Sequence, residues 1–480
     1  MSLEYISSVR CSTIVLCRFW RIFWVDASTA GTIELSLGEI ATDLNARTSG
    51  VQRSSKSVLQ WLSTIGHDWL LVFDNAGGDH NAVAEYMPPG NCGNVLITSR
   101  NPSLTRFVSQ GARIEIGDME EEDAIVLLLK SSSMDECSMQ LRQAARPIVQ
   151  ELCCLPLAID QAGAAISSGL CNIDEYLDRY AQHRQELLSD PGFKGASNYG
   201  RAVYGTWNMS FTAINRMGTA NAESALAIIH TLAFLHHDNV VEEIFKRAAE
   251  AAKKPLLTGS SDENTPICLP HQLLQLDQKG SWDPFCFRGG IQTLLSFSLI
   301  KKGEIGGNFS MHPLVHSWSR DRMSYEEQQT NSSYALTLLS SSITFDFTSV
   351  DYAFRQSLIP HIKATEKYMT GIGIDLDYDV NQCRNFGLAF YEAGQWKEAE
   401  RLLLQAMQTT KRVLGEEHPD TLAAMGNLAA TYRNQGKWKE AEELQVYVMQ
   451  TTKRVLGEEH PDTLSAMANL AATYRNQGKW

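Results

Sequence analysis

The sequence lacks any paired-cysteine pattern. Its ten cysteines, at positions 11, 17, 92, 137, 153, 154, 171, 268, 286 and 383, include no CxxC and no two clusters at zinc-ligand spacing. They read as reduced, mostly buried thiols of a reducing compartment, and zinc is not expected. Long apolar runs are also missing. The run from Ile14 to Val25 covers only about a dozen residues, is broken by Arg18 and Arg21, and no small-residue cleavage site follows it. No membrane span or signal peptide is expected, and the protein is read as soluble and cytoplasmic. Positive charge is in deficit: 42 Lys and Arg against 55 Asp and Glu leave a net charge of −13, the wrong sign for coating nucleic acid. Nor is there a nucleophile, base and oxyanion constellation, so a conventional metabolic enzyme, with flavin or NAD, has nothing to stand on.

What is present is apolar residue in globular proportion, 44% of the chain against 20% charged. A length of 480 residues exceeds a single core of ~100–200, so a multidomain chain is expected. The clearest feature is an internal repeat. Met407 to Trp438 and Met449 to Trp480 align at a spacing of 42, differing only at Ala423 against Ser465 and Gly426 against Ala468. An earlier copy shows in Gly394-Gln395-Trp396-Lys397-Glu398-Ala399-Glu400, and Trp396, Trp438 and Trp480 mark the period.

Within one unit Leu422, Met425, Leu428, Ala429 and Tyr432 recur at helical spacing, and Gly436 suits the C-terminal cap of that helix. A second helix runs from Trp438 through Ala441, Leu444 and Val448 to Leu456, and Gly415 and Pro419 punctuate the return. Asp420 and Thr421 are placed to cap the next helix. A helical hairpin cannot bury its apolar stripe alone, so the units must stack as a solenoid. A period broken by Gly and Pro is not a heptad, which excludes a coiled coil. The array stops at Trp480 before the second helix of its last hairpin, so the sequence is expected to be incomplete there.

Residues 383–480 resemble tetratricopeptide repeats of the 42-residue kind found in kinesin light chains. The likeness rests on Asn427-Leu428-Ala429, Tyr432, Gly436, Trp438 and Ala441, and on the linker Leu414-Gly415-Glu416-Glu417-His418-Pro419-Asp420. Val448 stands where a small residue is usual, while Ala406 keeps it in the earlier copy. The resemblance implies an all-α solenoid that binds protein partners, with the Trp438 face packing neighbouring hairpins and the first helices meeting ligands.

Towards the amino end, Ile22-Phe23-Trp24-Val25, Trp69 to Phe73, Asn94 to Thr98 and Arg113 to Ile116 are short apolar runs, with a helix-like stretch from Thr32 to Ile65 between the first two. Such alternation predicts a parallel α/β sheet. Functional residues gather at the carboxyl ends of such strands, here Asp74, Asn75, Ser99 and Arg100. An apolar strand ending in Asp either holds Mg²⁺ on a nucleotide or merely caps the next helix. Joined with Ile97-Thr98-Ser99-Arg100 and Leu155-Pro156-Leu157-Ala158, the pattern resembles NB-ARC signal-transducing P-loop ATPases over roughly residues 1–325.

That resemblance makes Asp74 the Walker B magnesium residue and Arg100 the sensor arginine, and lays Pro156 against the adenine side of ADP or ATP. Asn75 replaces a common acidic residue and cannot act as a general base, so turnover is at most slow. Cys154 replaces the usual glycine. No GxxxxGK[ST] occurs; the nearest string, Gly50 to Ser57, has Ser55 before the lysine and follows no strand, so Lys56 reads as a surface residue. Leu3-Glu4-Tyr5 resembles the end of the helix that follows the phosphate loop in the family, implying that the loop and its strand are truncated away. Without that cradle most phosphate affinity should be lost.

Residues 195–325 carry helices, a hairpin at Gly303, Gly306 and Gly307, and Met311-His312-Pro313. The segment resembles the family's winged helix, which would place His312 on the nucleotide phosphate. His312 and His316 could alternatively face a metal, but no third ligand is evident, and Pro313 is expected to start a helix with His316 and Trp318 packing or half-exposed. Lys301, Lys302, Arg320 and Arg322 are too scattered for a DNA-reading helix. The expected organisation is a truncated nucleotide-binding α/β region over 1–190, a helical linker and winged helix over 191–325, and the repeat region over 326–480. The implied function is an ADP/ATP-dependent signalling switch with a repeat sensor and homo-oligomerisation in its open state. The alternative is a scaffold in which the repeats bind partners and the ATPase region is only structural.

Overall fold

The computed structural model describes residues 18–76, 80–90, 93–99, 101, 104, 111–114, 116, 117, 119–189, 202–251, 273–303 and 307–478; Arg100 and Trp480 lie outside them. Two compact units divide the chain: Met1–Leu226 with Arg288–Lys302 and Met311–Trp318, and Ala227–Phe287 with Gly303–Ser310 and Ser319–Trp480.

The first unit holds a three-stranded parallel sheet in the order β1 (Arg21–Asp26), β2 (Trp69–Asp74), β3 (Asn94–Ile97). Phe23 and Val25 of β1 and Trp69, Leu71 and Phe73 of β2 turn to one face, as period-two alternation requires. There they pack on Ile33 and Leu37 of α1 (Ala30–Ile40) and on Val58, Leu59 and Leu62 of α3 (Ser55–Thr64). The stretch expected to be helical from Thr32 to Ile65 is three helices, because two polar turns interrupt it. Asp43 caps the short α2 (Leu44–Thr48) through the Asn45 N–H and takes the Arg21 guanidinium at 2.6 Å. Gly50, at φ 72°, then reverses the chain and Ser54 caps α3. The run at Arg113–Ile116 is not a strand in its described residues, and Ile114 and Ile116 are exposed.

After α4 (His80–Glu85) come α5 (Glu121–Ser131), α6 (Met139–Glu151), α7 (Pro156–Ser167), α8 (Tyr176–Ser189) and α9 (Val203–Arg216). Gly163 lets α7 press on α5: a Cβ there would lie 2.4 Å from the Ser131 Cβ. Beside it the Ser131 hydroxyl donates to the buried Asp160 carboxylate at 2.7 Å, and the buried Gln161 amide bonds the Leu187 carbonyl and the Val203 N–H. These bonds satisfy polar groups that burial would otherwise leave costly.

The middle of the chain runs through α10 (Ala220–Leu232), β4 (Val240–Val241), α11 (Glu243–Ala251), α12 (Phe285–Ser296), β5 (Lys301–Lys302), β6 (Asn308–Ser310) and α13 (Pro313–Asp321). The expected glycine hairpin closes with a Gly303 N–H bond to the Asn308 carbonyl, and β6 pairs antiparallel with β4; Gly306 lies outside the described residues. As expected, Pro313 starts a helix. His316 and Trp318 on it are fully buried rather than half-exposed, Trp318 donating to Asn208 of α9 at 3.0 Å.

The second unit continues into α14 (Tyr325–Ser341), α15 (Ser349–Gly371) and the hairpins α16 (Val380–Glu392) with α17 (Trp396–Leu414), and α18 (Pro419–Asn434) with α19 (Trp438–Leu456), followed by α20 (Pro461–Asn476). Leu422, Met425, Val448 and Ala466 form one apolar cluster across α18, α19 and α20. Gly394 and Gly436, at φ 71° and 80°, turn the chain between the helices of each hairpin, as the sequence predicts. The caps of α18 and α20 differ from expectation. His418 and His460 are the N-caps, each ring Nδ1 accepting an N–H two residues on at 3.2 Å. Thr421 and Thr463 are buried instead, each hydroxyl donating to the preceding linker glycine carbonyl at 2.8 Å.

Candidate functional site

The carboxyl end of β2 is a small polar cluster. Asp74 is half-buried there, and Asp26 ends the adjacent strand at the paired register position. The Thr98 hydroxyl, just beyond β3, donates to Asp74 Oδ1 at 2.5 Å and accepts the Asn75 N–H at 2.9 Å. The Thr98 N–H donates to the Phe73 carbonyl and its own carbonyl accepts from Ala76, so Thr98 is fixed through both main chain and side chain. Ser99 in turn donates to the Ala76 carbonyl at 2.5 Å and accepts the Asn101 N–H. Asn75 has φ 59°, a left-handed conformation that Asn tolerates better than most residues. The residue that follows Asp74 is thus a turn former, with an exposed side chain.

Sequence reasoning found Asp74, Asn75 and Ser99 but passed over Thr98 as the partner and Asp26 as the second carboxylate. The signal for Asp26 was available, since Trp24-Val25-Asp26 ends β1 as Val72-Phe73-Asp74 ends β2. Arg100 lies outside the described residues. Lys56 is exposed on the first turn of α3.

Pro156 and His312 stand on other elements. Pro156 is the first residue of α7, where its missing N–H costs no helical bond. Two cysteines bring the chain to it. The Cys153 N–H bonds the Gln150 carbonyl and the Cys154 N–H bonds the Val149 carbonyl, a Schellman closure of α6, and both residues have φ 51°. That conformation explains why a glycine is usual at the Cys154 position. His312 precedes α13, half-buried, with its Nδ1 accepting the Leu314 N–H at 3.2 Å. Among the described residues no three His, Cys, Asp or Glu side chains group as metal ligands, and no helix is long and apolar enough to cross a membrane.

The repeat surface is built by bonds that recur with the sequence. Gln435, after α18, donates to the Trp396 carbonyl at 2.9 Å and to Glu400 at 2.8 Å; Gln477, after α20, donates to the Trp438 carbonyl at 3.1 Å and to Glu442 at 3.0 Å. Lys437 adds an ion pair to Glu400 at 2.7 Å. Burial pushes the Glu400 carboxyl up, but the Lys437 and Gln435 hydrogen bonds outweigh it and hold the group below its usual range. Leu428 and Ala441 are fully buried, Tyr432 and Trp438 half-buried, and Trp396 is 38% exposed. The tryptophans therefore mark hairpin edges, and the small and aliphatic residues make the core.

Residues 382–446 match the tetratricopeptide-repeat family. The matched span takes in most of α16, all of α17 and α18, and the first part of α19. Over 436 residues the chain is 26% identical to a nucleotide-binding leucine-rich repeat (NLR)-like protein of Hyaloscypha variabilis; the alignment covers 84% of this chain and 40% of that protein. The chain thus spans about two fifths of the length of that relative. Among solved structures, one of kinesin-light-chain, nearly identical tetratricopeptide-like repeats from Podosopora anserina covers 35% of this chain and 76% of its own, with 20% identity and a TM-score of 0.25. A signal transduction ATPase with numerous domains and a tetratricopeptide repeat sensor, from Pyrococcus horikoshii, covers 98% and 77% respectively, with 11% identity and a TM-score of 0.23.

Proposed function

We propose that the chain is a signalling protein of the NB-ARC and tetratricopeptide-repeat type, binding protein partners through its repeats. The observation that carries this reading is the recurrence of one helical sequence unit, with the same Gln-to-Glu clamp, at a period of 42 residues. A solenoid built this way presents its first helices side by side as an extended surface. The similarity to an NLR-like protein supports the signalling part.

The strand-end cluster belongs to the same proposal as an inherited nucleotide site. Asp74, with the Thr98 hydroxyl beside it, offers oxygen donors that suit Mg²⁺ held through water. Asn75, Arg100, Pro156 and His312 complete the set carried by the family resemblance. A bound magnesium nucleotide would supply a charge whose loss or gain biases two states of the protein. The described residues fit the metal better than the phosphates, because no glycine-rich loop with a lysine lies beside Asp74 among them. Asn75 has no proton-accepting carboxylate, so hydrolysis by this chain is slow or absent. In the second reading, favoured by the missing GxxxxGK[ST], the repeats act as a scaffold and the α/β region is structural.

Calorimetric titration of the purified chain with ADP and with Mg·ATP separates the two. Binding that Asp74→Ala and Arg100→Ala both weaken supports the switch. Absence of binding both in the folded wild-type chain and in a version extended upstream to a phosphate loop discards it and leaves the scaffold.

A further inference from the structure

A cleft between α2, α3 and the start of β1 takes no part in the strand-end cluster. It measures about 500 Å³, within the range of small-molecule sites. Its place is the amino end of the sheet, where Trp20 precedes β1 and Ile65, Gly66 and His67 lead towards β2. Asp26 and Asp74 close the other end, about 20 Å away at the rise of a β-strand.

Aromatic rings form its walls. The Trp20 N–H donates to the Asp68 carbonyl at 2.7 Å, and the Trp20 indole, 41% exposed, lies beside the exposed His67 ring with centroids 5.9 Å apart and planes 31° apart. Trp61 of α3 is half-buried and held edge-on to the buried Phe23 at 6.0 Å. Both indoles are therefore placed before any ligand arrives, which spares binding the cost of ordering them. Uncharged polar groups stand with them. The Ser57 hydroxyl accepts the Gln52 N–H at 3.0 Å and keeps its proton to give, while the Ser49 and Thr64 hydroxyls donate to the Asn45 and Trp61 carbonyls and keep lone pairs to accept with. The Gln60 amide, exposed on α3, can do both. Among the described residues no Lys, Arg, Asp or Glu lines the cleft.

We propose that this cleft binds a flat, uncharged nitrogen heterocycle of the purine base or nucleoside class, without engaging a phosphate. Stacking on an indole takes a base by its π-face, and an amide with hydroxyls beside it suits a ring edge that carries both donors and acceptors. A phosphate gains nothing from a lining without Lys or Arg, on a chain of net charge −13. The site is separate from the cluster at Asp74 and does not depend on it.

Calorimetric titration of the full chain with adenosine, with inosine and with ADP tests the assignment. Saturable binding of a nucleoside is expected, weakened about tenfold or more by Trp20→Ala and unchanged by Asp74→Ala. Gln60→Ala should weaken it less. Trp20 and Gln60 are exposed, so both variants keep their fold, which far-UV circular dichroism verifies. Lack of saturable nucleoside binding at millimolar concentration overturns the proposal, as does nucleoside binding that Trp20→Ala leaves unchanged. ADP binding that is tighter than that of adenosine and falls with Trp20→Ala also overturns it, by showing that the cleft engages a phosphate.

Discussion

Gln445 of α19 occupies the place that Leu403 of α17 holds 42 residues earlier, and both are buried, at 2% and 3% exposure. The surroundings differ in one respect: Leu403 lies over Gly387, where a Cβ would come within 2.8 Å of it, and the position 42 residues on is Ala429. Neither the Oε1 nor the Nε2 of Gln445 has a hydrogen-bond partner among the described residues. An amide buried in this way forfeits its water without compensation, at a cost of about 1–3 kcal/mol. Gln445→Leu, which installs the residue of the preceding repeat, should stabilise the chain by part of this amount, since the new side chain must shift to clear the Ala429 Cβ. Urea denaturation followed at the repeat helices measures it, and an unchanged or lower midpoint would show that the amide is satisfied in solution.

The turn into α7 offers a second gain. Cys153 and Cys154 each hold a left-handed backbone, at φ 51°, which costs an L-residue about 1–2 kcal/mol relative to glycine's ease there. Part of that returns as the greater unfolded-state freedom of glycine, so Cys154→Gly should stabilise by about 1 kcal/mol. Thermal melts of the wild type, Cys154→Gly and Cys154→Ala should rank glycine highest and alanine no better than cysteine. Equal melting of all three would mean that the strain is relieved.

These two sites show what a sequence can and cannot disclose. The repeat array was legible almost to the residue, because helical periodicity and glycine stops are local and were written more than once. Thr421 was misread as a cap because a Thr near a helix start usually is one; its burial depends on the Gly415 carbonyl, which only the folded hairpin brings near. In the α/β region the strands β1, β2 and β3 were legible as apolar runs. The hydroxyl that holds Asp74 was not, since Thr98 reaches it across 24 residues through parallel pairing. Ile114 and Ile116 looked like a strand by composition alone, and composition does not supply a neighbouring strand to bond.

Acid should loosen the second unit through His361. The ring is buried on α15, with Nδ1 accepting the His236 N–H at 3.2 Å. Burial first, and then the neighbouring His236, push its pKa down from 6.5 to about 4, against the raising influence of the Asn239 backbone and Asp238. Between these values the unfolded chain binds a proton that the folded chain refuses. The stability is therefore full above about pH 6.5 and falls as pH drops towards 4, by roughly 3 kcal/mol for a shift of this size. Urea midpoints at several pH values between 7 and 4 should give a shallower slope for His361→Gln than for the wild type. Parallel slopes would place the acid sensitivity elsewhere, His230 being shifted in the same direction by burial and by Arg322.

Arg355 and Glu392 give the sharpest test of how α15 is joined to the repeats. Arg355 is fully buried and pairs with Glu392 through two bonds, at 2.6 and 2.9 Å, while its Nη1 donates to the Thr344 and Asp346 carbonyls, both at 2.8 Å. A buried ion pair gains little over an apolar pair of the same shape, because both ions lose their water. Removing one member is a different matter, for it strands the other. Glu392→Leu should thus destabilise by about 3–5 kcal/mol, leaving the guanidinium buried without its carboxylate. Arg355→Met in the same chain should recover much of that loss, although the Thr344 and Asp346 carbonyls then lose a donor and keep the recovery incomplete. A double-mutant cycle from denaturant midpoints reads the coupling directly. If Glu392→Leu alone costs no more than a surface substitution, water reaches the pair, and the joint between α15 and α16 is held by Phe354, Leu358 and Phe386 instead.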